Sequence, residues 1–138
     1  MRYMAIDYGS KNVGIALSDE SGSIAFPKEV LQNDAMLLPH LLDLIKVERV
    51  GEVVIGHSLD NNGEENPIMK GARLLGENLK AQAGLPINLE PEFYSSKEAE
   101  RIQGETDVSD ASAAAIILNS FLQKKNPISV LDDHTTQP

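Results

Sequence analysis

The chain of 138 residues has no cysteine and no tryptophan. The first absence excludes disulfides, zinc–thiolate centres and thiol nucleophiles, and fits a cytoplasmic setting. Aromatic side chains are few, three Tyr and three Phe, so a stacking platform for nucleic-acid bases gets little weight. Basic residues are short as well: 12 Lys and Arg stand against 21 Asp and Glu, for a net charge of −9. Nucleic-acid binders usually carry a basic face, and this balance leaves room for at most a local basic patch. It is compatible with a cluster of acids around a divalent metal. No apolar run approaches the ~20 residues of a membrane span. The chain opens as a strand rather than a basic segment followed by an apolar core, so no secretory leader or membrane association is expected.

What is present reads as one domain over residues 1–126, followed by a flexible polar tail at 127–138. Arg2 to Ile6 and Val13 to Leu17 are apolar runs of a hairpin. Ser23 to Val30 adds a third strand, an edge one because it holds Pro27. Leu37, Leu38, Leu41, Leu42 and Ile45 recur at helical spacing and predict a helix to Glu48. Glu52 to Gly56 is a short buried strand, and His57 to Asn66 a polar loop. Asn66 is expected to cap a helix that starts at Pro67 and stops at Gly84. Pro86 to Glu90 is a last strand. Ser95 with Glu98 predicts a capping box for a short helix to Gln103. A final helix starts near Asp107 or Ser109. The order implies an α/β fold: a three-stranded antiparallel meander plus two parallel strands, five in a mixed sheet, with helices on both faces.

Three carboxylates fall where they can converge. Asp7 ends the first strand, Glu92 follows the last, and Asp110 lies in the first turn of the final helix. Ala111, Ala113 and Ala114 beside Asp110 let that helix pack close to the sheet. Like charges that meet need a cation between them or a shared proton, and three carboxylates with water suit Mg²⁺ or Mn²⁺. Taken singly each acid has a plainer role: a turn through Gly9 or Ser10 for Asp7, a solvated loop for Glu92, a helix N-terminus for Asp110. The metal reading rests on all three. Around them, Gly9, Ser10 and Lys11 leave room for a phosphate and offer it a cation. His57 could act as acid, base or phosphate donor, a structural hydrogen bond being the plainer reading. Asp60 suits an Asx turn, and Met36 and Met69 suit core filling.

These segments resemble the YqgF/RuvX family of RNase H-like proteins, pre-16S rRNA nucleases and Holliday junction resolvase-like proteins. The likeness is carried by Ala5-Ile6-Asp7-Tyr8-Gly9-Ser10-Lys11-Asn12-Val13-Gly14-Ile15-Ala16, then Val53-Val54-Ile55-Gly56 with Asn62-Gly63, then Glu92 with Ser95-Ser96 and Glu98-Ala99, then Asp110-Ala111-Ser112-Ala113-Ala114. The first segment alone is shared with actin-like ATPases; four in order are specific. The resemblance covers Met1 to about Lys125. It implies an RNase H-like fold and a metal-dependent nuclease acting on structured RNA or branched DNA; whether the chain is a monomer or a homodimer is left open by the sequence. In it, Asp7, Glu92 and Asp110 are catalytic metal ligands, and Ser95 joins the substrate-binding residues. Departures also appear. Phe93 stands where the family has Arg, Ser58 where it has Pro, and the segment before Asp110 is short and acidic. A catalytically weak or silent module binding a protein or nucleic-acid partner therefore stays open, as does a nucleotide phosphohydrolase.

Overall fold

Alternation of side chains along the strands divides this chain into two cores, one on each face of a single sheet. The computed structural model describes residues 1–93 and 107–125, with side chains described for 1–92 and 111–125. Eight elements follow in order: β1 (Arg2–Tyr8), β2 (Asn12–Ser18), β3 (Ala25–Gln32), α1 (Leu37–Val47), β4 (Val50–Leu59), α2 (Met69–Ala83), β5 (Ile87–Phe93) and α3 (Asp107–Lys125). The sheet order is β3-β2-β1-β4-β5. β1 with β2, and β2 with β3, pair antiparallel; β1 with β4, and β4 with β5, pair parallel. This is the expected meander extended by two crossover strands.

One face carries Met4, Ile6, Val13, Ile15, Val53 and Ile55, packed under α1 and α2. The opposite face carries Tyr3, Ala5, Ala16 and Val54 under α3. α3 approaches closely because it presents Ala111, Ala113, Ala114 and Ala115, all buried. Its larger anchors, Ile117, Leu118 and Leu122, are buried too; trimming Leu118 to Ala would cost about 2–5 kcal/mol.

Several expected boundaries shift. The edge strand β3 runs from Ala25 to Gln32; it absorbs Pro27 through an irregularity in which Ala16 pairs with Pro27 and Ile15 with Glu29, leaving Lys28 extra. β4 runs on to Leu59 and β5 to Phe93, so His57, Ser58 and Glu92 belong to strands and not loops. α2 begins at Met69 rather than Pro67, and Asn66 does not cap it: the Asn66 side chain donates to Ser58 Oγ at 2.9 Å. Gly84 ends α2 in the left-handed conformation (φ 70°), as a helix-terminating glycine should. Met69 is a core residue, but Met36 is exposed. The expected helix from Ser95 to Gln103 and the tail lie outside the described residues. Among the described residues no helix is long and apolar enough to cross a membrane.

Candidate metal and nucleic-acid site

Asp7 is the sixth residue of β1, a strand whose other odd-numbered residues, Tyr3 and Ala5, face α3. It therefore projects toward α3. On β2 its direct partner is Gly14. On β4 the last paired residues are Ile6 and Ile55, so the next residues, Asp7 and Gly56, stand side by side. Asp7 is thus flanked by a glycine on each neighbouring strand. A side chain at either glycine would fill the space beside the carboxylate. The two glycines were visible in the sequence, but only the register shows that they bracket Asp7.

Glu92 reaches the same place from β5. Its strand partner is Ser58, and its carboxylate leans back over Gly56. A Cβ placed on Gly56 would collide with Glu92 Oε1 and would lie 3.0 Å from Glu92 Cδ and 2.9 Å from Ile117 Cδ1 of α3. The other carboxylate oxygen, Oε2, is shut off from solvent. Asp7 and Glu92 therefore share one face, with the bare backbone of Gly56 between them.

α3 runs antiparallel to β1. Near its C-terminal end Phe121 meets Tyr3, ring centroids 5.9 Å apart, and Ser120 reaches Glu90. From Tyr3 to Asp7 the strand advances about 13 Å. About nine helical residues cover that length, which brings the helix back from Phe121 to its first described turns. Position 110 falls on the same helical stripe as Ala114 and Ile117, one and two turns later. The Asp110 side chain is outside the described ones. Among the described residues no group of three or more His, Asp or Glu gathers as an ion site.

Two further acids on this face have structural duties. Glu90 is buried and accepts from Ser120 Oγ and Lys124 Nζ, each at 2.7 Å. Glu52, also buried, accepts from Asn88 Nδ2 at 2.6 Å. Glu90 thus ties β5 to the last turns of α3, and Glu52, 4.0 Å from Lys125 Nζ, ties β4 to the same end.

The rim beside Asp7 is the β1–β2 turn. Gly9 is required there, since any Cβ would sit 2.5 Å from the Asn12 carbonyl oxygen. Asn33 fixes the turn from outside: its side-chain amide donates to the Gly9 carbonyl at 2.7 Å and its backbone N–H to that of Lys11 at 2.8 Å. Ser10 and Lys11 are exposed. His57 does not join them. It follows Gly56 and so faces α2, where its Nε2 lies 2.7 Å from Glu65 Oε2. Arg73 grips the same carboxylate. The Arg73 hydrogen bond, then that of His57, lowers the Glu65 pKa to about 2. The plainer structural reading of His57 is what the geometry shows. Asp60 forms the expected turn, accepting from the N–H groups of Asn62 and Glu64 at 2.8 and 3.0 Å. Ser95 lies outside the described residues.

Comparison with known proteins adds the following. The family model described as RuvX: Holliday junction resolvase matches residues 1–124. A candidate pre-16S rRNA nuclease of Nitratidesulfovibrio vulgaris (strain DSM 19637 / Miyazaki F) is 32% identical over 140 residues, spanning 100% of this chain and 95% of its own length. Its counterpart in Maridesulfovibrio salexigens is 36% identical over 135 residues, spanning 90% and 99%. Among solved structures, T. thermophilus RuvC in complex with a Holliday junction substrate matches with a TM-score of 0.56 at 16% identity, covering 91% of this chain and 96% of that one. A fowlpox virus resolvase bound to Holliday junction DNA gives 0.51 at 9% identity, covering 91% and 99%. At such identities the structural likeness establishes the fold, which is RNase H-like.

Proposed function

This chain belongs to the RuvX family, a family of nucleases, and we propose that it is a divalent-metal-dependent nuclease hydrolysing phosphodiesters of structured RNA, with pre-16S rRNA the first substrate to try and branched DNA the second. The observation that carries this reading is the glycine-flanked pair. Asp7 sits between Gly14 and Gly56, Glu92 leans over Gly56, and the start of α3 with Asp110 comes to the same edge. The donor set fits Mg²⁺ or Mn²⁺: hard carboxylate oxygens, no sulfur, and open space where the glycines lack side chains. Asp7, Glu92 and Asp110 are the residues that would hold the ions. The chemistry supplied by bound divalent ions is activation of a water and relief of charge on the leaving oxygen.

The protein's own groups do the rest. Strand backbones fix Asp7 and Glu92, so little reorganisation is needed when a phosphate arrives. The turn at Gly9-Ser10-Lys11, braced by Asn33, offers a hydroxyl and a cation to the backbone of the substrate strand. Phe93 cannot grip a phosphate as the family's Arg would, so affinity is modest. Cleavage of structured RNA and of branched DNA, with Mg²⁺ and Mn²⁺ and with Asp7→Asn as control, tests the proposal. Metal-dependent cutting that the variant loses supports it. No cutting and no metal binding would replace it with a non-catalytic module that binds a partner.

A further inference from the structure

β4 outlasts β1 at the edge that holds the acids. β1 ends at Tyr8, whereas β4 continues through Ser58 to Leu59. On one side of that extension β5 is paired, through Ser58 with Glu92 and Leu59 with Phe93. On the other side, where β1 has stopped, the chain folds back on itself. Leu59 bridges Glu65 antiparallel, and the Asn66 N–H donates to the Ser58 carbonyl at 3.0 Å. Residues 65–66 thus prolong the line of β1 just past Asp7. Alternation from Gly56 puts the Ser58 side chain on the α3 face, beside Glu92. The outcome is two successive rows on that face: Asp7 and Gly56 in the inner one, Asn66, Ser58 and Glu92 in the outer.

In the outer row Asn66 Nδ2 donates to Ser58 Oγ at 2.9 Å. A hydroxyl that accepts in this way still has its own proton to give. Among the described residues Ser58 Oγ has no other hydrogen-bond partner, which leaves that proton for a ligand. Resting on the nuclease reading above, we propose that Ser58 is a substrate-binding residue: oriented by Asn66, its hydroxyl donates to a non-bridging phosphate oxygen of the strand held at Asp7 and Glu92. Asn66 is a positioning residue acting through Ser58. The pair supplies a neutral donor beside Glu92.

The test is steady-state cleavage by the full chain of a structured RNA and a branched DNA, together with equilibrium binding of both in Ca²⁺. Ser58→Ala raises KM and weakens binding about tenfold while kcat stays within twofold, as loss of one hydrogen bond to a charged group predicts. Ser58→Thr, which keeps the hydroxyl, returns KM to within threefold. Asn66→Ala shifts KM in the same direction with a melting temperature close to the parent's. A Ser58→Ala enzyme that matches the parent in KM, or that loses kcat alone, overturns the proposal and leaves the nuclease reading standing. A parent protein that neither cuts nor binds either substrate removes the nuclease reading, and this assignment with it.

Discussion

Replacing Gly56 by alanine separates the position of Glu92 from the stability of the fold. The added methyl would fall on Glu92 Oε1 and lie 2.9 Å from Ile117 Cδ1. Both are the ends of flexible side chains, so the clash is relieved by moving them and not by moving backbone. Overpacking of this kind costs about 1–3 kcal/mol, with the low end apt for such yielding neighbours. Gly56 has an ordinary strand backbone, so restricting the unfolded chain returns about 0.4–1 kcal/mol. The net loss is about 1 kcal/mol, or about 3 °C in melting temperature for a chain of this length. Glu92, however, can relieve the clash only by leaving the space beside Asp7. A misplacement of about 1 Å at a reacting centre costs about 10²-fold in rate. The expected result is therefore a folded Gly56→Ala protein with metal-dependent cleavage reduced about 100-fold. Gly76→Ala serves as control, since its methyl would meet only Ile55 Cδ1 at 3.1 Å and Ile87 Cγ2 at 3.4 Å on the other face. Cleavage by Gly56→Ala within threefold of the parent would refute the reasoning.

Three other outcomes follow from the same structure. Asp7→Asn loses divalent-metal binding in calorimetry yet melts no lower than the parent in EDTA, because it removes one of several clustered like charges; a lower melting point there would mark Asp7 as structural. Asp19 has its pKa lowered from 3.8 to about 2, first by the Ser21 hydroxyl and then by the N–H groups of Ile24 and Ser23. Its folded value lies below its unfolded one, so its stabilisation is whole above about pH 4 and disappears as pH falls through about 2; the melting-temperature gap between parent and Asp19→Ala should close across that window, and a pH-independent gap would contradict it. Cleavage should be weak and faster with Mn²⁺ than with Mg²⁺, because a chain of net charge −9 repels the polyanion and Mg²⁺ demands near-ideal octahedral geometry; robust Mg²⁺-dependent cutting at physiological salt would show the missing Arg to be immaterial.

The order of elements was legible because each carries its own period. Leu37, Leu41, Leu44 and Ile45 mark α1 at helical spacing and are all buried. The apolar run of β1 places Asp7 near a strand end. What was not legible lies where partners come from far along the chain. His57, Ser58 and Glu92 look like loop residues by polarity, yet they continue strands because Pro91, Glu92 and Ser58 are paired across β4 and β5. Asn66 looked like a helix cap, but Ser58 offers its side chain a better-placed acceptor. The face each residue occupies was equally hidden. A one-residue offset separates Gly56, under α3, from His57, which turns to Glu65 on the opposite side. The sequence named Asp7 and Glu92 as candidates; only register showed that two glycines make the space between and beside them.

The ties of α3 are distributed unevenly. Asn119 accepts from Ala25, Ser120 and Lys124 donate to Glu90, and Phe121 meets Tyr3. Ile117 and Leu118 anchor the turn before them, and the described buried side chains earlier in the helix are alanines. The described polar ties of the helix are therefore gathered over its last two turns, like a lever held at its fulcrum. From Ser120 to position 110 the arm is about 15 Å. A tilt of only about 4° about that fulcrum carries position 110 through about 1 Å, the displacement that costs about 10²-fold in rate. Glu90, whose strand partner is Gly56, and Lys124 thus set the position of residue 110, proposed above to bear the third carboxylate, and small changes at the pinned end would be felt as changes in rate before they were felt as changes in fold.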